Sequence, residues 1–190
     1  MNIENFTPFK VSFPDMFSKQ NQLRVLYEPD SEEVFNNFDI DTHEDQEVFK
    51  KYCWRITEEL MEALEDRDNE RHFQEEIIDG LNFLMDLYSL YGWSHYEVSI
   101  NPPKIKAKSS IEEQISQIIY KLGITANLLK NRTWRKSQYL VDLFIFEPRF
   151  KEVWHEYMEL FSLMGMSKLD IKSLWSLKYQ VNKFRIESNY

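Results

Sequence analysis

Glycine, cysteine and proline are all scarce in this sequence, which has 4 glycines, 6 prolines and 1 cysteine among 190 residues. The 4 glycines form neither a GxGxxG loop nor a Walker loop, so a bound phosphate must be held by side chains or metal ions. The single cysteine, Cys53, excludes an intrachain disulfide and a Cys/His zinc site. We interpret Cys53 as a small buried apolar residue in a protein of a reducing cytoplasm.

Long apolar runs are also missing, and the first residues, MNIENFTPF, lack the basic start and apolar segment of a signal peptide. We therefore expect a soluble, unprocessed, cytoplasmic protein with no membrane partner. The net charge of −9 repels polyanions, so no nucleic-acid partner is expected, whereas a small phosphate ligand bridged by metal ions remains compatible. A hydrophobic fraction of 43% suffices for one core, and we expect a single domain over residues 1–190.

Apolar residues recur at steps of three and four along most of the chain, which predicts an all-α helical bundle. Capping boxes mark three helix starts, at Thr42-x-x-Asp45, Ser110-x-x-Glu113 and Ser167-x-x-Asp170. The predicted helices lie near 15–27, 43–67, 71–92, 110–131, 137–146, 149–164 and 168–187. Pro29 opens a predicted acidic loop, and an exposed linker is predicted at Asn101-Pro102-Pro103 with Lys104, Lys106 and Lys108. So many apolar stripes predict completion of the bundle in a homodimer or homotetramer.

Two predicted helices each carry a pair of acids three residues apart: Glu59 with Glu62, and Glu76 with Asp79. Residues at this spacing point about 60° apart on a helix, so each pair is a two-carboxylate clamp, and adjacent antiparallel helices would bring the clamps face to face. In a chain with 32 acidic residues such spacings also arise by chance on solvated faces. The neighbours favour a site, because apolar residues flank both clamps: Leu60, Met61, Ala63 and Leu64, and Ile77, Ile78, Leu81 and Phe83.

Four carboxylates at close quarters repel one another strongly, so either some are protonated or a hard divalent cation compensates their charge. Mg²⁺ suits an oxygen-only ligand set, with Mn²⁺ as a substitute, and it also accepts phosphate oxygens of a substrate. The four acids are therefore candidates for both metal binding and catalysis.

At these residues the sequence resembles the all-α nucleoside triphosphate pyrophosphohydrolases, which include MazG-like proteins and the dimeric dUTPases and dCTPases common in phages. Glu59-Leu-Met-Glu62 and Glu76-Ile-Ile-Asp79 are similar to the ExxE and ExxD motifs of that superfamily. The segment 75–84 resembles the dimeric dUTPases around their second clamp, although Asn82 stands where that branch often has histidine. The C-terminal residues are similar to its closing motif: Leu163-Met-Gly165-Met-Ser167, Lys178, Asn182, Arg185 and Asn189-Tyr190.

This resemblance implies that the four acids bind Mg²⁺ and that Lys178, Asn182 and Arg185 contact the triphosphate. The alternative for this trio is an ordinary solvated basic face. Base recognition would use an amide and a stacking ring, for which the candidates are Gln20 or Asn82 with Trp54, Phe83 or Trp134. The basic cluster Lys130–Lys136 lies either near the substrate or simply at a helix C-terminus.

The implied activity is Mg²⁺-dependent hydrolysis of a deoxynucleoside triphosphate to its monophosphate and pyrophosphate, which controls nucleotide pools. The resemblance ranks dUTP first, dCTP second and a broad MazG-like specificity third, in the host cytoplasm if the chain is phage-encoded. The rival hypothesis is a non-catalytic helical interaction or regulatory protein with the same fold.

Overall fold

The computed structural model describes residues 3–104, 109–132, 134 and 136–188. A 3₁₀ turn at Ile3–Asn5 precedes seven α-helices in this part of the chain: α1 Phe13–Tyr27, α2 Ser31–Asn36, α3 His43–Glu65, α4 Glu70–Leu90, α5 Ile111–Ala126, α6 Leu143–Leu163 and α7 Lys168–Glu187. These residues include no strand, which confirms the predicted all-α fold. None of the helices described has the length and hydropathy to cross a bilayer. Lys106 and Lys108 of the predicted linker, and the closing pair Asn189-Tyr190, lie outside the described residues.

Helix starts follow the local sequence closely. The predicted capping boxes at Ser110 and Ser167 are both formed. Thr42 caps α3 by accepting from the Asp45 amide at 3.1 Å, but the Asp45 carboxylate accepts from the Asp39 amide at 2.9 Å instead of closing the box. Side-chain oxygens at these positions satisfy amide groups that have no partner within the helix, which is why the starts were predictable.

The two helices predicted at 137–146 and 149–164 are in fact mostly one helix, α6, which passes through Pro148. Phe146 and Phe150 lie on either side of the proline and are fully buried, with ring centroids 5.5 and 5.2 Å from that of Phe49. Burial of each ring contributes roughly 1.5–3 kcal/mol, so the pair offsets the roughly 3 kcal/mol cost of a proline in a helix. Tertiary packing therefore overrides the local stop signal.

Residues 137–142 are not helical, and α5 ends five residues earlier than predicted, because a buried asparagine organises this region. The Asn131 side chain accepts from the Tyr139 amide at 2.7 Å and donates to the carbonyl oxygens of Tyr139 and Asp41. The backbone amide of Asn131 donates to the Gln46 side chain in α3 at 2.9 Å.

Within the predicted acidic loop, the structure instead forms the six-residue helix α2, which is too short to show a periodic pattern.

Helices α3 and α4 are joined by the turn at 66–69 and pack against each other as a helical hairpin. Helices α5 and α6 pair in the same way, and α1 and α7 pack on α4. Buried apolar side chains from these helices form one cluster, in which Phe49, Ile77, Leu84 and Trp175 are almost completely inaccessible. The hairpin of α3 and α4 is thus fixed in place and carries all four acids singled out in the sequence.

Candidate active site

Three of the four predicted carboxylates meet where α3 faces α4. One oxygen from each of Glu59, Glu62 and Glu76 lies within 4.8 Å of the other two. A second group, Asp66, His72 and Glu76, is equally compact, but two of its members are exposed and it shares Glu76 with the first. The Glu59, Glu62 and Glu76 group, called the carboxylate cluster below, is the better metal site because its set of hard oxygen ligands is the kind that Mg²⁺ prefers.

The fourth predicted acid, Asp79, is paired with a lysine from α7. Lys178 Nζ lies 2.8 Å from Asp79 Oδ2 and 3.6 Å from a carboxylate oxygen of Glu75, and only 4% of the lysine is exposed. The Asn82 side chain donates to Asp79 Oδ1 at 3.4 Å. The structure therefore places Asp79 beside the carboxylate cluster and holds it with a buried cation and an amide.

Charge in the cluster is incompletely compensated. Burial raises the pKa of Glu59 to about 8, and the nearby Asp79 charge, a hydrogen bond with Glu76 and the charges of Glu76 and Glu62 act in the same direction. Burial also raises the pKa of Glu76 and that of Asp79, against the opposing charge of Lys178. A divalent cation would supply the missing positive charge, so these residues fit the metal that the sequence predicts.

Gly80 leaves room for a tyrosine of α6 to pack against α4 next to Asp79. A Cβ atom at this position would overlap the hydroxyl of Tyr157 and would lie 3.5 Å from Glu59 Cβ. Tyr157 is fully buried, and its hydroxyl donates to the Ile77 carbonyl oxygen at 2.8 Å. The absence of a Cβ at Gly80 therefore lets the Tyr157 hydroxyl of α6 reach α4, whereas a contact of 3.5 Å with Glu59 would be of ordinary length.

A cavity of about 370 Å³ opens beside the carboxylates, between α1, α3, α4 and α7. Glu59 and Asp79 line one end, and Gln20 and Asp86 line the other. Asp86 follows Asp79 by seven positions, which is about 10 Å along the axis of α4. The Phe83 ring lies between them, and a cavity of this size and mixed lining is typical of small-molecule sites.

A family model described as dUTPase matches residues 46–190, well over half of the chain. The chain belongs to the dUTPase family. Membership supports nucleotide hydrolysis of the dUTP type, and enzymes of this type generally use Mg²⁺. No curated protein matches the chain, and no solved structure matches it either. The family match begins within α3, so it includes both acidic clamps and α7 but leaves out α1, which forms one wall of the cavity.

The dUTPase-like residues predicted to bind substrate lie along the cavity or beside the carboxylates. Gln20, Asn82 and Asn182 all line the cavity. Asn82 is also committed to the protein, since its Oδ1 accepts from the Trp175 indole at 2.7 Å while its amide group contacts Asp79. On α7, the half-buried Arg185 has an Nε atom with no partner.

Of the three aromatic residues predicted to stack on the base, only Phe83 lines the cavity. Trp54 is 62% exposed and donates from its indole to Glu58, and Trp134 is 75% exposed. Consecutive residues of a helix point to different faces, so Trp54 lies on the surface while the adjacent Cys53 is buried as predicted.

The described part of the basic cluster Lys130–Lys136 follows the end of α5 and lies far from the carboxylates. Arg132 contacts Glu47 at 3.8 Å, and Glu47 precedes Glu59 by twelve residues, which is about 18 Å along α3. Lys130 donates to Asn127 at 2.8 Å. Thr133 and Arg135 lie outside the described residues. Of the two interpretations given for this cluster, the described part favours cations that follow a helix C-terminus.

Two buried charged residues of the cavity were missed by the sequence analysis: Arg24 and Asp86. Both are buried, with 9% and 3% exposed. Asp86 sits within the apolar run Leu84-Met85-Asp86-Leu87, and a single acid in such a stripe is a signal that the sequence contained. Arg24 carried no such signal, because an arginine on a short helix is usually solvated.

Proposed function

We propose that this protein hydrolyses dUTP, with dCTP as the second substrate, to the nucleoside monophosphate and pyrophosphate in a Mg²⁺-dependent reaction. The observation that carries the proposal is the position of the carboxylate cluster at one end of a nucleoside-sized cavity. A triphosphate at the carboxylates would place its nucleoside in the cavity. Membership in the dUTPase family supports the same reaction class.

Glu59, Glu62 and Glu76 are the residues that would hold the metal, and Asp79 is the adjacent fourth carboxylate. A bound Mg²⁺ would act as a Lewis acid on the phosphate oxygens and would make the attacking water more acidic. Among these acids, Glu59 belongs to the cluster and also lines the cavity. We assign to Glu59 the orientation and deprotonation of the water that attacks the α-phosphorus, with Glu62 as the alternative.

The departing pyrophosphate carries additional negative charge that α7 is suited to neutralise. Lys178 is already held next to Asp79, and Arg185 has an unpaired guanidinium nitrogen. Asn182 lines the cavity between them. Positions 178, 182 and 185 share one helix face, so we propose that the ammonium, the amide and the guanidinium act together on the phosphates.

Pyrophosphate release from a panel of deoxynucleoside triphosphates tests this proposal. We expect release from dUTP with Mg²⁺ or Mn²⁺ and none with EDTA. Glu59→Gln should lower kcat by about 100-fold or more, because it removes a metal ligand and the proposed base. The matched control is Glu58→Gln, an adjacent exposed acid whose side chain accepts a hydrogen bond from the Trp54 indole, and it should retain activity.

Failure of every nucleotide to release pyrophosphate would refute the enzymatic proposal. Metal-dependent binding of dUTP without product, measured by calorimetry, would instead support the non-catalytic regulatory protein. Three expectations stay predictions: the homodimer or homotetramer, the single domain over 1–190 and the cytoplasmic location. Light scattering that showed a strict monomer would contradict the predicted oligomer.

A further inference from the structure

The inner end of the cavity holds two buried polar side chains whose hydrogen bonding is incomplete. Gln20 and Asp86 are 6% and 3% exposed, and Gln20 Nε2 donates to Asp86 Oδ2 at 2.9 Å. The second oxygen of each side chain, Gln20 Oε1 and Asp86 Oδ1, is buried without any partner. Buried acceptors without partners are costly, so a donor that comes with a ligand would relieve this cost.

A third group at this end supplies unpaired donors. Arg24 is 9% exposed, its guanidinium lies 3.2 Å from the centroid of the Phe35 ring, and its Nε and Nη1 atoms have no partner. Arg24 also lines the cavity, as do Glu28 and Arg55, the other charged groups near Asp86. The inner end therefore offers two acceptors and a fixed cationic donor, which is a specific pattern for the edge of a planar base.

The position of this pattern matches the far edge of a bound nucleotide. Asp86 follows Asp79 by two turns of α4, about 10 Å along the helix axis. That distance is comparable to the span of a nucleotide from its α-phosphorus to the pairing edge of its base. Phe83, between the two acids on α4, lines the same cavity, and the Arg55 guanidinium lies 5.1 Å from its ring centroid. A phosphate at the carboxylates thus brings the base edge to Gln20 and Asp86.

Cytosine and uracil differ in what they present at this edge. Cytosine carries an exocyclic amino group with two donor hydrogens next to an acceptor nitrogen, whereas uracil has a single N–H between two carbonyl oxygens. Two adjacent acceptors and a neighbouring cation satisfy the amino group and the acceptor of cytosine. With uracil, one of the two acceptors is left facing a carbonyl oxygen.

We propose that Asp86 and Gln20 form an acceptor pair for the exocyclic amino group of cytosine, so that this chain takes dCTP in addition to dUTP. The inference rests on the proposed function and assigns its base specificity. Asp86 is then a specificity-determining residue of the cavity. Gln20 and Arg24 belong to α1, which precedes the segment that matches the family model, so this chain builds part of its base site outside that segment.

Binding of dCMP, dUMP and dAMP by calorimetry, without metal, tests the base site separately from catalysis. The wild-type chain should bind dCMP, and Asp86→Asn should weaken dCMP relative to dUMP by about ten-fold or more. The direction follows from chemistry: an asparagine beside Gln20 leaves one acceptor and one donor, the pattern that uracil matches. Glu70→Gln, an exposed acid on the same helix, is the control and should leave the ratio unchanged. If Asp86→Asn does not fold, Asp86→Ser should shift the ratio in the same direction.

Three outcomes would overturn the base assignment: wild-type protein that binds dUMP but not dCMP, an Asp86→Asn variant that changes both affinities equally, or tighter binding of dAMP, which also carries an amino group. A different result would overturn only the proposed hydrolysis. If wild type binds dCMP and the variant shifts the affinity ratio, but no triphosphate releases pyrophosphate, the result supports the base site and refutes the proposed hydrolysis.

Discussion

Replacing Gly80 by alanine tests the close approach of α4 to its neighbours. The added methyl group would overlap the hydroxyl of Tyr157, whose ring carbon Cζ lies 3.4 Å from the same point. Overpacking of this kind costs about 1–3 kcal/mol, and a displaced Tyr157 hydroxyl adds about 1–3 kcal/mol for its lost hydrogen bond to Ile77. Alanine regains about 1 kcal/mol of helix propensity. We therefore expect Gly80→Ala to lower the free energy of unfolding by about 1–5 kcal/mol.

Urea denaturation of a double-mutant cycle isolates this contact. Tyr157→Phe removes the overlapping oxygen, so Gly80→Ala should be nearly neutral, or stabilising by about 1 kcal/mol, in that background. Gly123→Ala is the control: it lies in α5, where an added Cβ meets nothing within 4 Å, and it should stabilise the protein by about 0.5–1 kcal/mol. An equal cost of Gly80→Ala with and without the Tyr157 hydroxyl would refute the reasoning.

Three further predictions concern the metal, a buried acid and a proline. Mg²⁺ at about 100 times its Kd should raise the free energy of unfolding by about 2.7 kcal/mol, and the rise in Tm should disappear in Glu59→Gln but persist in Glu58→Gln. Burial raises the pKa of Asp86 to about 7, so its contribution to stability is complete below pH 3.8 and is lost as the pH rises through 7. The stability of wild type relative to Asp86→Asn should fall by up to about 4 kcal/mol over that range in urea titrations, and a flat difference would contradict it. Pro148→Ala restores an amide that can donate to the Phe144 carbonyl oxygen and should stabilise the protein by about 1–3 kcal/mol. A lower Tm of this variant would contradict the prediction.

Local signals in the sequence predicted the helices and the position of the acidic clamps. Hydroxyl caps and acids three residues apart are patterns within a single helix turn, so they do not depend on contacts with distant parts of the chain. This is why α3 and α4 begin and end within a few residues of their predicted bounds, and why Glu59, Glu62 and Glu76 meet as the spacing suggested. The ion pair between Asp79 and Lys178 does not follow from a local pattern, because the two residues lie almost a hundred positions apart in the sequence.

Features decided by distant contacts were mispredicted or missed. Two helices are predicted at 137–146 and 149–164, yet Pro148 lies inside the single helix α6 because Phe146 and Phe150 pack on Phe49 from another helix. Trp54 was a candidate for the base, yet it lies on the surface because the buried face of α3 passes through its neighbour Cys53. In both cases the local pattern was ambiguous and the core determined the outcome.

The base specificity belongs to this second kind of feature. Gln20 and Asp86 are 66 residues apart, and only Asp86, a single acid in an apolar stripe, stands out in its own helix. Their role is inferred from two oxygens that are buried without donors, on side chains that line the cavity. A carboxylate cluster identifies a reaction class because metal binding needs only charge and spacing, whereas a base is selected by the exact pattern of unpaired donors and acceptors. Since α1 contributes half of that pattern and lies outside the family match, membership in the dUTPase family cannot by itself determine which pyrimidine this chain prefers, and the Asp86→Asn affinity ratio is the measurement that can.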